Sequence, residues 1–461
     1  MNSSLLIYEW KLLWRDRWAA LTLAGLATLL LATLLANAWG LARDQADKAR
    51  VAAAERARWL GQEAKDPHSA AHYSIYAFKP APALALLDLG IEPFVGQAVW
   101  LEAHVQNDLL YRPQADATPL ERSGLRHPAS LLIAFAPLAA FVLALSGVAR
   151  ERERGTLRLA LGAARDPRRL ALGKCLAIWL ALLLVLLLPL LLATAFCTGG
   201  WSGDTLLRLA GWAAVMAIYL AIAAAAAVAV ALRARGLRTA LAALFGAWAL
   251  FTLALPRLAS SAAEAVQPLP STQSVKQQLL DEAPAFWSAE TSRANEAAIL
   301  ARSGAASREA LGGNYRGLEL DLAERHSHAV FDRVLGAFHD RVLAQDAAYR
   351  AQAWLSPAIA ANQLSMALSG TDFAQHRQFV DAAEQYRRAL VNRMNEQVAA
   401  HAPDAAGKAH KGDAALWAAQ PAFDYSPPRL HLAQLSALPA LAAWLLVALA
   451  GLLYGARSYR T

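Results

Sequence analysis

The chain has 461 residues, a formal net charge of +8, a hydrophobic fraction of 57% and only 17% charged residues. This balance places it with membrane proteins and excludes an ordinary soluble globular domain. Six apolar runs, near 18–38, 130–149, 175–196, 206–231, 239–256 and 434–455, approach the roughly 20 residues a helix needs to cross a hydrocarbon core of about 30 Å, and apart from Arg208 at an edge their interiors hold no Asp, Glu, Lys or Arg.

In chain order, residues 4–18, SLLIYEWKLLWRDRW, place Trp10, Trp14 and Trp18 at i, i+4 and i+8. On a helix these fall on one face, which fits a helix over 1–18 lying in the membrane interface, where indoles prefer to sit. The alternative is an aromatic belt opening a long first span. That span, 18–38, ends in Ala36-Asn37-Ala38, which resembles a signal-peptidase site; its apolar run exceeds the usual h-region of about 7–15 residues, and a retained span is the reading carried forward. The helix is expected to continue outward through ARDQADKARVAAAERARWLGQEAKD. From His68 to Arg112 the chain is broken by Pro80, Pro82, Gly90, Pro93 and Gly96, a pattern of turns and short elements.

Pro137 and Pro189 remove helical hydrogen bonds within the second and third spans and are expected to kink them. The fourth span presents mostly small side chains, either a surface for close helix packing or simply alanine-rich composition. In the segment 257–433, the stretches 273–311, 318–353 and 371–400 show helical spacing, with Thr371 a candidate N-cap and 401–429 an irregular return to the membrane. Cys175 and Cys197, the chain's two cysteines, flank the third span. Along a helix they are about 33 Å apart, too far to bridge.

Charge fixes an expected orientation. Segments 39–128 and 257–433 hold ten Lys/Arg against eleven Asp/Glu and seventeen against nineteen, whereas the N-terminus, 149–174, 232–238 and the C-terminal tail together hold sixteen basic and five acidic residues. By the positive-inside rule the short basic connections, both termini and the tail at 456–461 are cytoplasmic, and the two large segments are extracytoplasmic. The fold expected is an all-α membrane protein: six transmembrane helices, an N-terminal interfacial helix, and a mainly helical extracytoplasmic domain formed by two segments.

No G-x-x-x-x-G-K-[ST] segment cradles phosphates, so the chain is not itself an ATPase. The spans lack the ionisable residues expected of an ion-coupled transporter, and no acidic or His/Ser constellation at membrane depth suits an intramembrane hydrolase. His68 and His72 at i, i+4, Glu102 and His104, and His326 and His328 at i, i+2 invite a metal reading, but in sequence no cysteine or compact third ligand completes a site; hydrogen-bonded or exposed histidines are the default, and His326 and His328 read as a solvated face. No catalytic, cofactor-binding or metal residues are therefore assigned.

The connection at 150–174 carries the most information. Positive-inside bias accounts for its arginines but not for Glu151 and Glu153 or the ordered E-x-E-x-G-T-L run, and Leu157, Leu159 and Leu161 could grip a surface on a short amphipathic helix. The run ERERGTLRLALGAARDPRRLALGK resembles the loop between spans two and three of type 2 ABC exporter permeases, where E-x-E-x-G-T-L precedes a small-residue turn, a basic patch and G-K. Here Ala163-Ala164-Arg165-Asp166 replaces the Thr-Pro-hydrophobic turn of many relatives. AHYSIYAFKP, GQAVWLEAHVQND and LSPAIAANQLSMALSGTDFAQHRQF are similar to phrases of a subgroup with a large uncharacterised extracytoplasmic domain.

The resemblance implies a coupling helix that docks into an ATPase cleft through Glu151, Arg152, Glu153, Arg154, Gly155, Thr156, Leu157, Arg165, Arg168 and Arg169, with Trp10, Trp14 and Trp18 as interfacial anchors. It implies a permease subunit of an ATP-driven exporter in a bacterial inner membrane, with ATP and Mg on a partner ABC ATPase dimer. Its further partners would be a second permease subunit, identical or paralogous, the lipid bilayer and an extracytoplasmic protein, with no nucleic acid. A mechanotransmission subunit that moves its outer domain without passing cargo is the alternative. Lipid, peptide, small amphiphile and metallophore all remain open as cargo.

Overall fold

The computed structural model describes residues 3–73, 75–110, 112, 127–164, 166–403 and 408–457. Among these, six helices are long and apolar enough to cross a membrane: TM1 (Arg17–Leu60), TM2 (Pro128–Val148), TM3 (Pro167–Cys197), TM4 (Gly203–Arg233), TM5 (Leu237–Val266) and TM6 (Leu432–Arg457). The helical expectation holds, and TM1 does run on past the membrane: its 44 residues extend about 66 Å. Its N-terminal half buries Ala19, Leu23, Leu26, Leu30 and Leu34, one stripe at helical spacing, and its C-terminal end buries Glu55 and Trp59.

The N-terminal helix α1 (Ser3–Trp14) stops where Asp16 caps TM1 by accepting from the Trp18 amide. Trp10, Trp14 and Trp18 thus do not form one helical face. Trp10 packs half-buried on the bundle core and edge-on to Trp14, while Trp18 belongs to TM1 and is exposed.

TM4 is the axis of the bundle, packed against TM2, TM3 and TM6. The small side chains from Ala223 to Ala231 lie in its buried face, beside the larger Trp212, Met216, Tyr219 and Leu220. Prolines rearrange the hydrogen-bond ladders around it. Pro137 cannot bond the Ile133 carbonyl, and the Tyr219 hydroxyl donates to that oxygen instead, at 2.8 Å. TM3 adopts a π turn over Leu183–Leu187 just before Pro189, and TM5 another over Ala249–Ala254 just before Pro256.

The two long segments between spans pack together at the end of the bundle opposite the TM2–TM3 connection, and are called the outer domain for that position in the fold. Its first part contains α2 (Pro67–Ala71) and a small antiparallel sheet, β1 (Ile75–Phe78), β2 (Ala98–Glu102) and β3 (Val105–Leu110), where the sequence showed turns and short elements. Between TM2 and TM3 lie α3 (Arg150–Glu153) and α4 (Thr156–Ala164). The second part of the outer domain comprises α5 (Thr272–Glu282), α6 (Ala289–Ser303), α7 (Tyr315–Ala351), α8 (Pro357–Ser369), α9 (Phe373–Ala400) and α10 (Ala414–Ala418).

Three sequence expectations need correction here. The stretch 273–311 is broken by a 3-10 turn at Ala283–Trp287, where Pro284 interrupts the helix. Helix α8 occupies residues 357–369, left unassigned between the helical stretches 318–353 and 371–400; Ser356 caps it and Pro357 opens its first turn. The cap of α9 is Asp372, whose carboxylate accepts from the Gln375 amide, rather than the buried Thr371.

Helix α8 is buried almost all round and seats the outer domain on the bundle through TM4. Trp212 donates to Ser365 Oγ at 2.8 Å, and Arg208 donates to the carbonyls of Ala367 and Leu368, at 3.2 and 3.4 Å, at the α8 C-terminus. Arg208 also pairs with Asp204 and donates to the Pro428 carbonyl at 3.0 Å, while Asp204 accepts from the Leu430 amide. Sheet and helices meet where Ala77, Val99 and Leu101 pack on Phe379, Val380 and Ala383 of α9.

Two outcomes follow. Arg208→Met leaves Asp204 without its cation and uncaps α8; a loss of about 3–5 kcal/mol is expected, read by denaturant unfolding in detergent, with Asp204→Asn losing less. The outer domain also carries buried imidazoles whose charging is opposed: burial pushes His376 down to about 3, helped by Lys79, and His339 down to about 4, helped by Arg377. Both bind a proton more readily when unfolded. Their contribution to stability is therefore intact above the unfolded value near 6.5 and falls as pH drops from there toward 4, so the midpoint of unfolding should fall over that window.

Candidate coupling site

The connection between TM2 and TM3 is held by a buried ion trio. Lys174 Nζ lies 2.9 Å from Glu9 Oε2 on α1 and 2.9 Å from Glu151 Oε2 on α3, and donates to the Gly147 carbonyl at 3.0 Å. Lys174 and Glu9 are both nearly inaccessible, and burial raises the Glu9 carboxyl against the opposing pull of Lys174. The preceding Gly173 lies against α1, where a Cβ would stand in van der Waals contact with Leu5 at 3.4 Å. The G-K pair that closes the motif thus joins α1, α3 and the first turns of TM3.

Arg152 turns the same way. Its guanidinium donates to the carbonyls of Ala231, Leu232 and Ala234 at the C-terminal end of TM4, where helix carbonyls run out of intrahelical donors, with the Ala231 contact at 3.1 Å. TM4 is therefore fastened at both ends by arginines, Arg152 at one and Arg208 at the other.

Between α3 and α4 the chain reverses at Gly155, whose φ of 73° lies in the left-handed region that a side chain makes costly by about 1–2 kcal/mol. The Gly155 amide donates to the Arg152 carbonyl at 3.0 Å and the Thr156 hydroxyl to the Glu151 carbonyl at 3.2 Å. On α4, Leu157 is 3% exposed and Leu159 75% exposed. Positions two apart on a helix point to different sides, so Leu157 and Leu159 do not grip one surface together. Among the described positions from Glu151 to Gly162, Arg154, Gly155, Thr156, Leu159 and Gly162 are exposed.

Arg168 and Arg169 lie in the first turn of TM3, which starts at Pro167 rather than near 175 because Asp166 caps it, accepting from the Arg168 amide at 3.0 Å. Arg165 and the side chains of Glu153 and Leu161 lie outside the described residues. Sequence reasoning missed Lys174 as the partner of Glu151, with Glu9 on the same lysine; the one signal was G-K at the end of the motif.

Comparison with protein families gives a match over residues 5–287 to the ABC-2 family transporter protein family. The chain belongs to that family. A domain of unknown function (DUF3526) matches residues 270–426, most of the second part of the outer domain. Neither curated proteins nor solved structures yield a match. This ABC-2 family chain is accordingly a multi-pass membrane protein and a transport subunit rather than an enzyme.

The ion trio gives a direct test. Lys174→Met confronts Glu9 with Glu151 in a buried space and should cost about 3–5 kcal/mol, whereas a triple variant that also carries Glu9→Gln and Glu151→Gln should recover much of the loss. Thermal unfolding in detergent, with proteolytic release of α1 as a second reading, distinguishes the two.

Proposed function

We propose that the protein is the permease subunit of an ATP-driven ABC exporter, and that the exposed tip of the 150–174 connection receives force from a partner ATPase dimer. The observation that carries this reading is the division of labour in that connection. Glu151 and Arg152 face inward and bind it to α1, TM3 and TM4, while Arg154 in the turn and Thr156 and Leu159 on the short α4 stand outward. A tip that is apolar at its end and bound to three helices at its base suits docking into a cleft: the exposed leucine supplies contact area and the buried pairs resist local give. Closure of the ATPases on ATP would then tilt TM3 and TM4 together, opening a path between this subunit and a second permease, a copy or a paralogue. The membrane is a bacterial inner membrane, with both termini and the tip in the cytoplasm and the outer domain on the far side, as the distribution of basic residues supports. ATP and Mg belong to the partner; an outer partner protein and the anchoring of Trp10, Trp14 and Trp18 at the interface complete the reading.

A second reading has its own observation. TM4 is clamped to the tip by Arg152 and to the outer domain by Arg208 and Trp212, so displacement of the tip reaches α8 without a pore having to open. In that case ATP drives motion of the outer domain and nothing crosses the bilayer.

Arg154→Glu combined with Leu159→Glu alters only exposed side chains and should leave folding unchanged. Co-purification with the partner ATPase and ATP turnover by the complex are expected to fall by at least roughly tenfold. Unaltered assembly would remove the tip from the interface. Vesicles containing the intact complex separate export from transmission: ATP-dependent movement of lipid or peptide probes supports the first, and ATP-dependent mobility of the outer domain without flux supports the second.

A further inference from the structure

Within the outer domain three imidazoles that are far apart in sequence converge. His68 lies on α2 and His72 caps its C-terminus, four residues on, while His104 occupies the two-residue turn between β2 and β3. His68 Nε2 is 3.0 Å from His104 Nε2 and 3.3 Å from His72 Nε2, and one ring nitrogen from each of the three falls within a span of 4.8 Å. The third ligand absent from any local sequence pattern is supplied by the hairpin turn.

The partners on the other ring edges fix what these nitrogens offer. His68 Nδ1 lies 2.6 Å from Asn395 Oδ1 on α9, and His104 Nδ1 pairs with the fully buried Glu324 carboxylate on α7. An amide oxygen and a carboxylate can only accept, so each Nδ1 carries the proton and each Nε2 presents a lone pair. Two such lone pairs at 3.0 Å repel unless a cation lies between them. A bridging proton, balanced by the Glu324 carboxylate, would join only His68 and His104 and would leave His72 Nε2, 3.3 Å from His68 Nε2, facing the same point unserved. A divalent ion meets the geometry directly: nitrogens bound tetrahedrally at about 2.0–2.1 Å from zinc stand about 3.3 Å apart.

His104 adds an independent observation. Its φ of 66° is the only positive value at a non-glycine residue among those described. Side chains avoid this region, and such outliers gather at functional sites. A glycine would make the turn without strain. What histidine gains there is the aim of Nε2 at His68.

We propose that His68, His72 and His104 bind a first-row divalent transition cation of the zinc type. Three imidazoles without a thiolate suit zinc and its neighbours and do not suit Mg²⁺ or Ca²⁺, which prefer oxygen. Glu324 and Asn395 orient two of the rings, as carboxylates and amides commonly do behind metal-bound histidines. His72 is exposed, so the fourth position opens to solvent. The ion ties α2 and the β2–β3 hairpin, from the first outer segment, to α7 and α9 of the second. This assignment rests on the cluster alone and does not depend on the exporter reading.

The test uses the full-length chain in detergent, stripped with a chelator and titrated calorimetrically with zinc chloride alone, with cobalt as a spectroscopic substitute. A single saturable site and a cobalt spectrum of tetrahedral type are expected, and saturating zinc should raise the unfolding temperature. His72→Gln changes an exposed side chain, and His104→Asn tolerates the positive φ while keeping an amide donor for Glu324; both should fold without metal, and each should weaken zinc binding by at least roughly tenfold and abolish the temperature shift. No saturable binding by the wild-type chain, or equal binding by both variants, overturns the proposal.

Discussion

A backbone carbonyl freed inside an apolar bundle has no water to accept from, and the places where this chain supplies a donor fix the positions of its larger parts. Pro137 releases the Ile133 carbonyl and Tyr219 reaches across from TM4 to take it. In TM5 the π register carries the Leu255 amide to the Leu250 carbonyl; the next such bond would need the amide of residue 256, which is proline. The Phe251 carbonyl left over accepts from the Ser356 hydroxyl, the cap of α8. Each of these two prolines thus creates an acceptor that is met from a different element, so a local defect in one helix becomes a contact between two.

Helix ends pose the same problem on a larger scale, and two arginines solve it for the helices that matter most. Arg152 covers the end of TM4 and Arg208 covers the end of α8. An arginine suits this role because its planar head carries several donors and keeps its charge, which the carbonyl end of a helix favours. The consequence is mechanical. TM4 cannot shift along its axis without dragging either the α3–α4 connection or the outer domain, because its partners at both ends are bonded and not merely packed.

The spans, their order and the outward run of TM1 were legible because apolar clustering and helical spacing are local properties. The seating of α8 was not, since a 13-residue apolar helix in a hydrophilic segment shows its role only when TM4 is beside it. The Asp166-Pro167 start of TM3 was readable as a cap followed by proline, yet the hydropathy boundary near 175 drew attention past it. For the coupling residues, sequence showed which positions are unusual but not which way they face. Glu151 stands out equally whether it meets an ATPase or Lys174, and only the approach of α1 decides. The histidines failed for a related reason. His68 and His72 advertise a pair, but His104 joins them through strand register, and Glu324 through a helix more than two hundred residues away in sequence.

These constraints bear on how the two ends of the molecule communicate. A force applied at Leu159 enters a connection whose base is a buried lysine between two carboxylates, an arrangement that is costly to distort because any separation leaves charge unpaired in an apolar space. On the proposed reading, displacement would be easier than deformation and would pass to TM4 through Arg152 and on to α8 through Arg208. Beyond α8 the path divides, since α9 packs against the sheet and also carries Asn395 to the histidine cluster. An ion bound there would stiffen the junction between the two outer segments, so that α8, the sheet and α9 move as a unit. Without it the hairpin is held to α9 by side-chain packing and by the hydrogen bond from Arg387 to the Glu102 carbonyl, and part of the displacement would be absorbed in the outer domain itself.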